Sequence, residues 1–141
     1  MLGNWYVNMF MIDRRKVLIF MNEKTLLSFI VYGIKKANIE HIHEIFLKCL
    51  NQVLLMEGVD YSVINKLNDE YVALSYTKTN SKKILGNMTD LVNLYTHFIY
   101  YEGGLKACDM LEIIHKINKI PQRNLEWGYA IDATKELLSA E

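Results

Sequence analysis

The chain has 141 residues, 51% of them hydrophobic, enough for one domain with a real core, since a domain near this size buries roughly two thirds of its unfolded surface. Sixteen basic residues balance sixteen acidic ones, so there is no bulk field to draw nucleic acid or an anionic membrane, and any electrostatic partner must meet a local patch. The apolar run from residue 17 to 34 is broken by Asn22, Glu23 and Lys24 and no basic segment precedes an apolar one at the N-terminus, so the expectation is a cytoplasmic protein with no membrane contact.

Residues 5–12 and 16–22 are aromatic and aliphatic runs separated by Asp13, Arg14 and Arg15, which predicts a β-hairpin with a charged tip. A third run, 25–32, follows the turn at Asn22, Glu23 and Lys24 and completes an antiparallel meander. Val17, Ile19 and Met21 alternate with Leu18 and Phe20, so both sheet faces are apolar and both are expected to be covered.

From Asn38 the period changes. Ile42, Ile45, Phe46, Cys49, Leu50, Val53 and Leu54 recur at three and four residues, the spacing of one helix face over about 38–57, with Asn38 as N-cap and Gly58 just past the end. Residues 60–68 read as a short helical turn, and the β-type run 70–76 as a fourth strand. A second helix is expected over about 87–102, with Met88, Leu91, Tyr95 and Ile99 on its buried stripe, Asn87 and Asp90 resembling a capping box, and Gly103 and Gly104 ending it. A third is expected over about 106–118, stopped by Pro121, and Asp132 marks a short terminal helix. The fold class is α+β, a small antiparallel sheet packed with three main helices.

Residues 71–91 are the most informative stretch for function. The expected fourth strand leads into Thr77, Lys78, Thr79, Asn80, Ser81, Lys82 and Lys83, and then into the expected helix at Asn87. Hydroxyls, cations and a helix N-terminus in sequence suit an anion, because the first helical amides lack intrahelical acceptors and carry a partial positive charge. The order of residues is neither that of a P-loop nor that of a dinucleotide fingerprint. Residues 1–36 hold six cations against two anions, an excess that makes Arg14 and Arg15 candidates to share the same surface.

Other chemistry is poorly represented. Cys49 and Cys108 fall at apolar helical positions without metal or redox spacing and read as buried, reduced thiols. His41 and His43 are two residues apart and cannot share a helix face, while His97 and His115 fall on separate expected helices, so neither a metal nor another cofactor is expected. No nucleophile shows a sequence signature of activation. Tyr100 and Tyr101 cannot both face inward from one helix, which leaves room for a partner or homo-oligomer contact.

Trp5, Asn8, Phe10, Asp13-Arg14-Arg15-Lys16, Phe20-x-Asn22 and Thr25, followed by Lys78-Thr79-x-Ser81-Lys82 and Leu85-Gly86-Asn87-Met88, together resemble a bacterial domain-of-unknown-function family. Its members share a Lys-Thr-x-Ser-Arg segment leading to Leu-Gly-x-Met-Asn. Lys82 stands where that family has arginine and Thr89 where it has asparagine; lysine keeps the charge but loses the planar fork that grips an oxyanion with two bonds. The resemblance implies no activity, but it groups the lysine loop and the arginine turn in one design.

The expected function is a non-catalytic binding or regulatory module that holds an anionic ligand, a nucleotide or phosphate, or an acidic partner surface, through Thr77, Lys78, Thr79, Ser81, Lys82, Lys83, Asn87, Arg14 and Arg15. Nucleic acid is disfavoured by the zero net charge. Two alternatives belong to other classes: a phage or mobile-element protein that inhibits a host defence component by protein contact, and a phosphoryl-group hydrolase or transferase.

Overall fold

The computed structural model describes residues 2–33, 40–71, 81–122 and 125–140. Three strands, β1 (Trp5–Ile12), β2 (Arg15–Asn22) and β3 (Ser28–Tyr32), precede five helices: α1 (Ile42–Met56), α2 (Tyr61–Glu70), α3 (Lys82–Tyr101), α4 (Met110–Ile117) and α5 (Ala130–Ser139). The protein is α+β, and its sheet among the described residues is an antiparallel meander in the order β1-β2-β3.

The hairpin register runs unbroken from Ile12 opposite Arg15 to Trp5 opposite Asn22. Only Asp13 and Arg14 lie between the strands, both with positive φ, 50° and 64°. That is the conformation of a two-residue type I′ turn, whose twist matches the flanking strands. Arg15 is thus the first residue of β2 rather than part of the tip.

Both faces of β2 are covered, as its two-sided apolar pattern requires: every residue from Val17 to Asn22 is buried. On one face Phe20 and Phe29 lie 5.2 Å apart, ring centre to ring centre, and Phe46 of α1 sits 5.4 Å from Phe20 and 5.1 Å from Trp5. On the other face Ser28 meets Tyr95 of α3, the two hydroxyls 2.9 Å apart. The sheet therefore lies between α1 and α3, and the buried residues form one continuous cluster.

Buried polar side chains stitch these layers together. The Asn118 amide, just past α4, donates to the Ser28 carbonyl at 2.8 Å and accepts from the Ser28 N–H at 3.0 Å. It bonds to β3 as a neighbouring strand would. The Thr134 hydroxyl of α5 donates to Thr25 Oγ1 at 3.0 Å. Burial raises the Tyr95 phenol far above its ordinary range.

Several element boundaries differ from expectation. The stretch 60–68, expected to be a short helical turn, is part of a full helix, α2, because the Asp60 side chain accepts from the Ser62 N–H at 3.2 Å and caps it, and Ile64 and Leu67 bury one face. Glu70, expected to open a fourth strand, closes that helix, with Tyr71 as its cap; residues 72–76 lie outside the described residues, as does Asn38. The third expected helix is shorter: Asp109 caps α4 by accepting from the Glu112 N–H at 3.3 Å, which leaves 106–108 outside it. Cys49 and Cys108 are free and half-buried, and burial raises both thiols above their ordinary value. Among the described residues no helix is long and apolar enough to cross a membrane.

Candidate functional site

The turn after β2 is built around one side chain. Asn22 is buried; its amide donates to the Leu2 carbonyl at 2.9 Å, and its Oδ1 accepts from the N–H groups of Lys24 and Thr25 at 2.9 and 3.0 Å. Fixing those amides fixes the path of the next two residues, so Glu23 and Lys24 project from a rigid turn. The Lys24 stem lies across Gly3, where an added Cβ would stand 3.2 Å from Lys24 Cε. The Glu23 carboxylate accepts from the Tyr6 hydroxyl at 3.2 Å.

Opposite this turn, α3 begins six residues earlier than the Asn87 capping pattern predicts. Ser81 is its N-cap, in extended conformation, with a hydroxyl that accepts from the Ile84 N–H at 3.4 Å. A serine three residues ahead of the amide it caps competes well against a later asparagine. Gly86 is helical, and a Cβ there would meet nothing within 4 Å; it is neither a stop nor a point of close approach. Asn87 therefore lies in the second turn, half-buried.

Lys82 and Lys83 occupy the first two helical positions, and the first turn of α3 has no acidic residue. Helices ordinarily place carboxylates there, because the helix dipole and the unpaired amides make that end positive. Here the sequence adds two cations to the positive end.

Between the rigid turn and the helix start lies a cavity of about 290 Å³, lined by Met21, Glu23, Lys24, Leu26, Ser81, Lys83, Ile84, Asn87 and Leu125. Met21, Leu26 and Ile84 give it an apolar side; Lys24 and Lys83 bring positive charge from two elements against the single carboxylate of Glu23. Its volume falls just below the ~300–1,000 Å³ usual for small-molecule sites.

Of the sequence-predicted residues, the cavity gathers Ser81, Lys83 and Asn87, with Lys82 exposed beside them. Thr77, Lys78 and Thr79 lie outside the described residues. Arg14 and Arg15 do not join the cavity. Their turn sits at the far end of α3, where the Tyr100 hydroxyl donates to Asp13 Oδ1 at 3.2 Å and Gly104 lies against the same carboxylate. A helix of 20 residues spans about 30 Å, so the arginine turn and the cavity mark opposite ends of α3.

Lys24 takes the place expected for the arginines. It lies 57 positions before Ser81 in sequence; the clue to it was the antiparallel meander, whose two turns must project from opposite ends of the sheet.

Other charged contacts among the described residues lie away from the cavity. Glu57, at the C-terminal end of α1 and nearly buried, lies 2.6 Å from Nδ1 of the half-exposed His115 on α4. Lys116 pairs with Glu102 and Glu112, each at 3.3 Å. Among the described residues no group of three or more His, Cys, Asp and Glu side chains is placed to hold a metal ion.

No curated protein and no solved structure matches the chain. A family model does, over residues 1–133, nearly the whole of the fold just described; the chain belongs to that family, DUF6933, a domain of unknown function.

Proposed function

We propose that the protein is a binding module for a small anion of the phosphate class, held in the cavity at the start of α3. The observation that carries this reading is the pairing of a cavity with a helix end that carries cations and no carboxylate: Lys24 and Lys83 line the cavity against the single carboxylate of Glu23, Lys82 stands beside it, and the first turn of α3 has no acidic residue. An anion there would accept from amides that have no acceptor within the helix and would relieve the repulsion between the lysines and the dipole. Thr77, Lys78 and Thr79 precede Ser81 in sequence and extend the same polar, cationic composition, in line with the Lys-Thr-x-Ser segment of the family resemblance.

The reading predicts that inorganic phosphate raises the melting temperature, since a ligand bound only to the folded state stabilises it by about 2.7 kcal/mol at one hundred times its Kd. The gain should shrink as sodium chloride rises, because exposed lysines are screened. The double variant Lys24→Ala/Lys83→Ala should keep its own melting temperature and lose the phosphate response; an unchanged response in that variant would refute the site.

A further inference from the structure

One wall of the cavity belongs to a second tight turn. Gln122 N–H donates to the Gly128 carbonyl at 2.9 Å, Trp127 N–H to the Gln122 carbonyl at 2.8 Å, and Gly128 N–H to the Leu125 carbonyl at 2.9 Å. The two central residues of the Leu125–Gly128 turn, Glu126 and Trp127, have φ of 53° and 65°. Left-handed positions of this kind ordinarily go to glycine, asparagine or aspartate, and a bulky residue there is an outlier that points to function. Trp127 is also 65% exposed, and its ring stacks on no other aromatic ring among the described residues. A large indole is thus held in an unfavourable backbone state and left facing water. Leu125, the first residue of the same turn, lines the cavity together with Ser81, Lys83 and Asn87.

We infer that Trp127, two residues on from the cavity-lining Leu125, is a stacking platform for a ligand of the nucleoside phosphate class, with the phosphate at the lysines and the base against the indole. This rests on the anion-binding reading above and narrows it. An indole face attracts any flat base with little regard to its identity, while the lysines and helix amides recognise only the phosphate. The fixed turn favours such a contact, because the platform needs no ordering when the ligand arrives.

The test is a titration of the full chain with inorganic phosphate, ribose 5-phosphate and AMP, followed by tryptophan emission and calorimetry. AMP should bind about 10-fold or more tighter than ribose 5-phosphate, the ordinary gain from stacking one base on an aromatic ring, and should quench emission. Trp127→Phe should keep most of that advantage. Trp127→Gly should reduce AMP to the level of ribose 5-phosphate and leave phosphate affinity unchanged, with a melting temperature no lower than that of the native chain, because glycine adopts the positive φ without strain. Equal affinities for AMP and ribose 5-phosphate in the native chain, or native AMP binding by Trp127→Gly, would overturn the stacking role and leave the anion site standing. No binding of any of the three compounds would overturn both.

Discussion

The polar network between β3 and α4 and the cationic cavity at the start of α3 use similar side chains to opposite ends. At Asn118 and Ser28 every bond closes inside the protein, with N···O distances of 2.8 and 3.0 Å, and the groups are buried. At the cavity the lysines are exposed, and Ser81 and Asn87 are only half-buried along its lining. The first region fixes the fold; the second sets two lysines against the single carboxylate of Glu23, beside a turn that Asn22 fixes. A polar residue's identity alone does not separate the two roles, whereas its burial does: Asn118 is buried and Asn87 only half-buried.

The comparison can be broken first at its structural side. Asn118→Ala should destabilise the protein by about 3 kcal/mol, since it strands the buried N–H and C=O of Ser28 and each unsatisfied group costs about 1–3 kcal/mol. Urea unfolding measures this, and a loss below about 1 kcal/mol would show that the network is not what joins α4 to the sheet.

The cavity should behave in the opposite way. Lys24→Ala/Lys83→Ala should leave unfolding within about 0.5 kcal/mol of the native chain. Arg14→Ala/Arg15→Ala, a change of equal charge at the far end of α3, should leave both stability and phosphate affinity intact. Similar losses of affinity in the two double variants would reduce the effect to net charge.

A smaller effect sharpens the role of buried phenols. Burial pushes the Tyr71 phenol up to about 12, and its hydroxyl donates to the Gly3 carbonyl at 2.7 Å. Because the folded value is raised above the ordinary 10, its contribution is fully present below about pH 10 and lost as pH rises through about 12. Melting temperature against pH should fall across that window, and less steeply in Tyr71→Phe.

The smallest changes lie at the helix start. Gly86→Ala should stabilise the protein by about 0.5–1 kcal/mol, the ordinary helical preference at a position with free space. Lys83→Glu should add about 0.3–1 kcal/mol in ligand-free protein by matching the dipole, while weakening phosphate binding. Stability gained and binding lost in one substitution would set the site apart from a surface that merely carries lysines.

Much of the fold was legible in local periodicity. The alternation in β2 announced a sheet covered on both faces, and Phe46, Leu50, Val53 and Leu54 announced the buried face of α1. What escaped were signals that compete or that act at a distance. Asn87 with Asp90 made a plausible cap, but Ser81 lay upstream and Gly86 proved compatible with a helix. The aromatic and β-branched look of 70–76 obscured the end of α2, whose stability comes from the Asp60 cap and from burying Ile64 and Leu67. The cavity was half legible: Ser81, Lys83 and Asn87 follow from the polar run before α3, whereas Lys24 and Leu125 reach it only through the paths of β2 and the Leu125–Gly128 turn. Charge at the hairpin tip suggested a shared surface with the lysines, yet antiparallel geometry sends the two turns of the meander to opposite ends.

The most direct test of the central claim is a titration of isotopically labelled protein with inorganic phosphate, followed at the backbone amides by nuclear magnetic resonance. The account predicts saturable shifts centred on the amides of Lys82 and Lys83, with Lys24 moving in step and Arg14 and Arg15 silent. Shifts centred on the arginine turn, or none that saturate at the start of α3, would contradict it.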